Sequence, residues 1–340
     1  MKLIQLPIFA LLVSGIFCQY DYDSYYNYDP ASQMAPSSPI CSVECDCPMN
    51  FPTAMYCDNR KLKTIPIIPS PIKYLYLQNN LLTGIPNGAF DNATELLWLI
   101  LDNNQIASSN IGKKAFSKLK RLQKLYINFN NLTELVSIPK SLEDLKVYSN
   151  QISKIGKVLA DHDNLTTIQL NDNQLSDVGE AFSGLKSLMY LDLSINKLTK
   201  LPAGLPSSLE MFYIDHNNLN SIPKGYFDKN SKLQYLRISH NQLKDEDIPE
   251  RIFNITTLLE LDLSFNKLKA IPVVNENLEN LYLQANEIEK FSLSSFCRVT
   301  GPEEFSKVKH LRLDGNKITQ ADMPFNSAQC LRQAYEIMLD

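Results

Sequence analysis

Four asparagines stand two residues ahead of a threonine with no proline between them: Asn92-Ala93-Thr94, Asn131-Leu132-Thr133, Asn164-Leu165-Thr166 and Asn254-Ile255-Thr256. This is the acceptor spacing for N-linked glycans, a chemistry of the secretory route. Two further residue sets suit the same compartment. Four cysteines cluster as Cys41-x3-Cys45-x-Cys47-x9-Cys57, and two more follow far downstream at Cys297 and Cys330. With Cys18 removed in a leader, six remain, and an even number in an oxidising compartment reads as a disulfide framework. Zinc is the rival reading of the cluster, but no histidine lies near it and free thiolates do not persist there. The third set is Tyr20, Tyr22, Tyr25, Tyr26 and Tyr28, interleaved with Asp21, Asp23 and Asp29. Tyrosine beside aspartate is a sulfation context, strongest at Tyr20 and Tyr22, and sulfate adds permanent negative charge that attracts basic partners.

Residues with these chemistries need a leader to reach that compartment. Lys2 followed by the uncharged apolar stretch 3–17 reads as a signal peptide, 1–18. A cut after Cys18 leaves Gln19 first, where it can cyclise to pyroglutamate; a cut after Gly15 would keep Cys18 in the mature chain. No later stretch is apolar enough to span a bilayer, so the sequence predicts a secreted protein without a membrane span. Residues 19–40 lack apolar periodicity and read as a disordered tyrosine- and acid-rich tail. That tail has no Ser-Gly pair, so no O-linked chondroitin chain is expected there.

The elements that position everything else come from one repeated pattern, Leu-x-x-Leu-x-Leu-x-x-Asn-x-Leu. Its asparagine falls at Asn80, Asn104, Asn130, Asn150, Asn173, Asn196, Asn217, Asn241, Asn266, Asn286 and Asn316. These eleven copies define a leucine-rich repeat solenoid. Leu-x-Leu alternates inward and outward as a strand must, and eleven strands about 4.8 Å apart make a parallel sheet on the order of 50 Å long. Each asparagine at the turn can pair backbone groups of its own and neighbouring turns. The expected fold is of the α/β class: a curved horseshoe with a concave parallel β-sheet, convex short helical or polyproline segments, and disulfide caps. Convex phenylalanines (Phe90, Phe116, Phe182, Phe227, Phe253) mark the long repeats, and Ile138-Pro139, Leu201-Pro202 and Ile271-Pro272 mark the short ones. The N-terminal cap is assigned to 41–71, the repeats to 72–318 and the C-terminal cap to 319–340. The spacing from Asn286 to Asn316 is stretched to 30 residues and contains Cys297. A Cys297–Cys330 bridge would clip that excursion to the C-terminal end.

The outward strand positions read as an aromatic column: Tyr74, Tyr76, Trp98, Tyr126, Tyr190, Tyr213, Tyr235 and Tyr282. Acids gather mid-array at Glu143, Asp144, Asp172, Asp192, Glu210, Asp215, Glu260 and Asp262, interrupted by Arg237 and Arg312. Exposed aromatics among charges are typical of binding surfaces, although tyrosine also suits strands by propensity alone. The residues singled out for partner binding are Asp215, Tyr213, Asp192, Tyr190, Arg237 and Tyr235. The histidines (His162, His216, His240, His310) enter no Ser-His-Asp spacing, metal-ligand pair or phosphate-binding loop. No enzymatic activity, metal or cofactor is expected, and a net charge of −4 argues against nucleic acid as partner.

The cap spacing, the uneven repeat lengths, the stretched penultimate repeat and the tyrosine-acid tail occur together. In this combination the chain resembles the small leucine-rich proteoglycans over everything from Gln19 to Asp340. The resemblance implies disulfides Cys41–Cys47 and Cys45–Cys57, tyrosine sulfation in the tail, and N-glycans at Asn92, Asn131, Asn164 and Asn254 extended into keratan sulfate. It implies a secreted protein of the extracellular matrix that binds fibrillar collagen through the concave face and regulates fibril diameter and spacing. Other matrix or signalling proteins are further partner classes, and a homodimer through the concave faces would compete with collagen. The reading from a different class is a soluble signalling ectodomain that captures a protein ligand.

Overall fold

The structure, a computed structural model, describes residues 41–300 and 303–339. The leader, the tail with Gln19 and the tail tyrosines lie outside the described residues.

Thirteen strands of three residues form one parallel sheet. They begin with β1 (Ala54–Tyr56), β2 (Tyr74–Tyr76), β3 (Trp98–Ile100), β4 (Lys124–Tyr126), β5 (Asp144–Lys146) and β6 (Thr167–Gln169). They continue through β7 (Tyr190–Asp192), β8 (Met211–Tyr213), β9 (Tyr235–Arg237), β10 (Glu260–Asp262) and β11 (Asn280–Tyr282). A separate antiparallel hairpin, β12 (Arg298–Thr300) and β13 (Glu303–Phe305), precedes the last two sheet strands, β14 (His310–Arg312) and β15 (Glu336–Met338). Neighbours pair with their central residues aligned, as in Leu75 with Leu99 and Leu99 with Leu125. That register is fixed by burial: the central residue of each strand from β2 to β11 has no exposed surface, while its neighbours face the concave side. A slip by one residue would exchange core and surface along the whole strand.

The convex half of the core holds Phe90, Phe116, Phe182, Phe227 and Phe253, all buried. Phe90 and Phe116 stack at 6.1 Å, which sets the offset between two successive convex segments. Helix is scarce. Short 3₁₀ turns such as Ser108–Asn110 and Asp245–Asp247 occur on the convex side, and the one α-helix among the described residues is Ser327–Cys330. The bulk of the convex expectation is therefore met by turns and extended segments.

The asparagine ladder is built as its chemistry requires. Asn217 Nδ2 donates to the carbonyls of Leu193 and Ile214 at 3.0 and 3.2 Å, and its Oδ1 accepts from the Leu198 N–H at 2.9 Å. Asn104 and Asn150 repeat this geometry on their own turns. Just before each ladder asparagine the chain turns through the left-handed region, at Asn79, Phe129, Ile195, His216, His240 and Phe265 among others. A non-glycine residue there costs roughly 1–2 kcal/mol. The ladder hydrogen bonds hold the corner in place, and its side chain is directed to the rim.

Both ends of the sheet extend beyond the eleven repeats. β1 lies in the cysteine-rich segment, and its outer edge is covered by an antiparallel bridge in which Asp46 and Tyr56 exchange two hydrogen bonds of 2.8 Å. β15 lies in the C-terminal segment. Disulfides join Cys41 to Cys47, Cys45 to Cys57 and Cys297 to Cys330. The last of these ties the residue preceding β12 to the helix Ser327–Cys330.

Candidate ligand-binding face

The concave surface carries three columns of side chains, set by strand register. The residue before each central position gives Tyr74, Trp98, Lys124, Asp144, Thr167, Tyr190, Met211, Tyr235 and Glu260. The residue after gives Tyr76, Ile100, Tyr126, Lys146, Gln169, Asp192, Tyr213, Arg237, Asp262, Tyr282 and Arg312. A third column, one step beyond the second inward residue, includes Asp102, Asn128, Ser194, Asp215, Ser239 and Ser264. The single aromatic column expected from the sequence is thus two columns. Of the acids read as one cluster, Glu143 and Glu210 precede their strands and Asp172 sits at an exposed left-handed corner.

At the middle of the sheet, Asp192, Asp215, Glu260 and Asp262 surround one cation, Arg237. Its Nε lies 2.7 Å from Glu260 Oε1, and its guanidinium lies over the Tyr213 ring at 4.7 Å. Tyr213 meets Tyr190 edge to face at 5.4 Å. Each aspartate is locked by backbone donors. Asp192 Oδ1 accepts from Ser194 N at 2.9 Å, Asp262 Oδ1 from Ser264 N at 2.9 Å, and Asp215 Oδ1 from Ser239 N at 2.6 Å. Asp215 therefore joins two turns as well as facing the concave side. Burial raises the Asp215 carboxyl to about 7, helped by the negative charge of Asp262 and opposed by Ser239 and Arg237. Burial likewise raises Asp192 and Asp262. Carboxylates held against burial with one guanidinium among them gain from a second cation, which removes the cost of their ionised form.

The N-terminal half of the face differs, because it carries its own cations. Lys124 Nζ lies 4.3 Å from the Trp98 ring and Lys146 Nζ lies 4.6 Å from the Tyr126 ring. The Tyr126 hydroxyl donates to Asp144 at 2.6 Å. Burial raises the nearby Asp102 carboxyl to about 6. The two lysines balance Asp102 and Asp144, so the acidic excess is confined to β7–β10. The sequence reading omitted both lysines, although the same period-two alternation places them outward.

On the rim, His216 and His240 stack at 3.8 Å and His240 stacks on Phe265 at 4.0 Å. Burial and the His216 neighbour lower His240 to about 4, so the stack is uncharged at neutral pH. His162 is a core residue whose ring nitrogens meet the carbonyls of Ala160 and Ile138. Asn92, Asn131 and Asn164 are exposed, and Asn164 Nδ2 donates to the Lys140 carbonyl at 3.1 Å. Asn254 is half-buried, with its Oδ1 accepting from Asn275 at 3.1 Å. None of the four lies on a strand. Among the described residues, no group of three or more His, Cys, Asp or Glu could hold a metal ion, and no helix is long and apolar enough to cross a membrane.

A capped parallel solenoid with an asparagine ladder and a charged concave sheet defines a leucine-rich repeat protein. The family description "Leucine rich repeat" matches residues 70–132, 163–210 and 207–268, and "Leucine rich repeat N-terminal domain" matches 40–69. Lumican of Coturnix japonica is 57% identical over 346 aligned residues, covering 100% of both chains. Lumican of Homo sapiens is 52% identical over 344, again covering 100% of both. Fibromodulin of Bos taurus is 50% identical over 311, covering 91% of this chain and 82% of that protein. Among solved structures, the leucine-rich repeat FLRT2, in an octameric complex with Latrophilin 3 and Unc5D, superposes with a TM-score of 0.68 at 26% identity. That match covers 87% of this chain and 83% of the other. The chain belongs to the small leucine-rich proteoglycans, the family of lumican and fibromodulin. It is a secreted protein of the extracellular matrix and not an enzyme, as its relatives are structural matrix proteoglycans.

Proposed function

We propose that this proteoglycan binds fibrillar collagen through its concave face and limits the lateral growth and spacing of fibrils. The observation that carries the reading is the acidic excess around Arg237: Asp192, Asp215, Glu260 and Asp262, framed by Tyr190, Tyr213 and Tyr235 on a curved sheet. A collagen rod winds three polyproline-like chains and presents lysine and arginine outward. A concave acidic sheet with tyrosine walls complements such a rod in shape and charge.

In this reading, residues 1–18 are removed and the tail 19–40 begins at a pyroglutamate formed from Gln19. Sulfation at Tyr20, Tyr22, Tyr25, Tyr26 and Tyr28 gives the tail its charge. N-glycans at Asn92, Asn131, Asn164 and Asn254 carry keratan sulfate. Because these asparagines stand off the strands, the glycans leave the concave centre open and extend around it. Hydrated anionic chains then hold neighbouring fibrils apart. The whole-length likeness to lumican favours lumican-like behaviour over the fibromodulin-like variant. Capture of a signalling protein in solution is the second reading, favoured by the FLRT2 likeness.

Co-sedimentation with collagen fibrils separates the two, since a ligand-capturing ectodomain stays in the supernatant. Asp215→Asn keeps an acceptor for Ser239 N but removes one charge, so the fold stays intact while fibril affinity falls about ten-fold, equivalent to about 1.4 kcal/mol. The same assay carries a pH signature. The Asp215 carboxyl sits at about 7 in the free protein, so lowering pH from 7.5 to 5.5 protonates it and weakens binding of a cationic partner on the order of ten-fold. Asp215→Asn flattens most of that dependence. Unchanged binding by the variant at pH 7.5 would rule out the acidic centre as the contact.

A further inference from the structure

Charge is unevenly distributed away from the concave face. Between Asp102 and Glu134 the chain has no acidic residue, yet it holds Lys113, Lys114, Lys118, Lys120, Arg121 and Lys124. Lys124 belongs to β4 on the concave side. The other five lie on the segment between β3 and β4, where Ala115, Phe116, Leu119 and Leu122 are buried. With every apolar residue of residues 113–122 turned inward, its outer surface consists of the five cations and Ser117.

The fold fixes where this strip lies. The Phe90–Phe116 stack and the hydrogen bond from Lys114 N to Asn87 Oδ1 (2.9 Å) align it against residues 87–95 of the preceding turn. By that offset Asn92 stands alongside Lys118. The acids on the preceding turn are Asp91 and Glu95, and Glu95 is paired with Arg121. Among the described residues, Lys113, Lys114, Lys118 and Lys120 form no ion pair within 4.0 Å. In a chain of net charge −4, four cations without acidic partners on one short outer segment are a local reversal of sign.

We propose that this strip binds a linear sulfated polysaccharide carried by another matrix molecule. The chemistry of the strip selects among polyanions. Phe116 is buried, so the strip offers no aromatic platform on which nucleic-acid bases could stack. No apolar side chain is exposed along it, so nothing would insert into a lipid surface. Lysines on flexible stems present point charges without the planar fork that arginine uses for fixed bidentate recognition. They suit a flexible chain whose sulfates recur along its length. The strip lies on the outer side of the repeats, so it would be available while the concave face is occupied, and the inference stands apart from the collagen reading.

The test uses the full-length secreted protein and immobilised heparin and keratan sulfate, with affinities compared at 0.15 M salt and followed over a series of salt concentrations. The fourfold variant Lys113→Glu, Lys114→Glu, Lys118→Glu and Lys120→Glu is compared with a control of equal charge change at exposed lysines elsewhere: Lys200→Glu, Lys224→Glu, Lys229→Glu and Lys232→Glu. The strip variant should lose at least ten-fold in affinity for at least one polymer and show a shallower salt dependence, since fewer counterions are released. The control should change less than three-fold, and both should melt with the parent. Lys→Gln at the same four strip positions should reproduce the loss without charge repulsion within the strip. Equal losses in strip variant and control, or no binding by the parent, would overturn the proposal. Asn92→Gln separates the source of the polymer. Affinity within two-fold of the parent agrees with a polymer from another molecule. A ten-fold gain would mean the protein's own Asn92 glycan occupies the strip, and the assignment would fall.

Discussion

Replacing Cys297 and Cys330 together by serine should lower stability more than removing either N-terminal disulfide, and should expose the β12–β13 hairpin to proteolysis. Loop length sets the difference. The Cys297–Cys330 bridge closes a separation of 33 residues, against 6 for Cys41–Cys47 and 12 for Cys45–Cys57. In the chain-entropy picture these correspond to about 4, about 2 and about 3 kcal/mol. The long bridge also has a local task. It holds the hairpin, which pairs only with itself, against the helix that leads into β15, the last strand of the sheet. Solenoid stability is carried by neighbour-to-neighbour contacts, so loss at one end frays that end first. Thermal melting of the double-serine variant should drop by several degrees, and limited proteolysis should nick between residues 297 and 309 before any cut elsewhere in the repeats. A variant as resistant as the parent would mean the hairpin is held by packing alone.

The second large effect belongs to the ladder. Asn217→Leu removes the acceptor of the Leu198 N–H, and Leu198 has no exposed surface. It also withdraws one donor from each of the carbonyls of Leu193, Ile214 and Asp215. Leu193 still receives Asn196, and Ile214 still receives Asn241. The group stranded outright is therefore one buried N–H, worth about 1–3 kcal/mol. A leucine side chain at a turn built around an amide adds misfit, so a total of roughly 3 kcal/mol is expected, shifting the melting temperature by several degrees. Asn316→Leu offers the internal comparison. Asn316 is less buried and serves the end of the array, so the same change there should cost less. Equal costs at the two positions would show that burial does not set the energetics of the ladder.

How much of this was readable from the residues follows from what each feature repeats. Inward leucines and ladder asparagines recur with period and spacing, so the sheet, its register and its core could be written down from the pattern. β1 was legible as a half-formed repeat, because Met55, Cys57 and Leu62 stand where repeat leucines would, and Met55 aligns with Leu75. β15 was not visible as a strand, because Glu336-Ile337-Met338 lacks the flanking leucine and asparagine signature and gains its order by pairing with a formed neighbour. The concave face was legible as a list but not as an arrangement. Alternation told which residues point outward. Division into columns required knowing that Tyr74 aligns with Trp98, and Tyr213 with Arg237. Two side chains had roles the pattern concealed. Asp215 both faces the sheet and accepts from Ser239 N, and Lys146 covers the ring of Tyr126, which looked open in sequence. The His216–His240–Phe265 stack was hidden because it lies on the left-handed corners, where residue type varies without period.

Charge placement, rather than the repeat, distinguishes this chain's surfaces. The sheet is balanced in its N-terminal half and acidic at β7–β10, and the outer strip at residues 113–121 is basic. A curved scaffold presents these on different sides, so collagen and a sulfated polymer need not compete for the same residues.

The most direct test of the concave-face claim is oxidative footprinting of the protein free and bound to collagen fibrils at neutral pH. The account expects Tyr190, Tyr213, Tyr235 and Tyr282 to be strongly protected in the complex, with Met49 and Phe325, exposed off the sheet, oxidised as before. Unchanged oxidation of those four tyrosines in protein that pellets with the fibrils would contradict it.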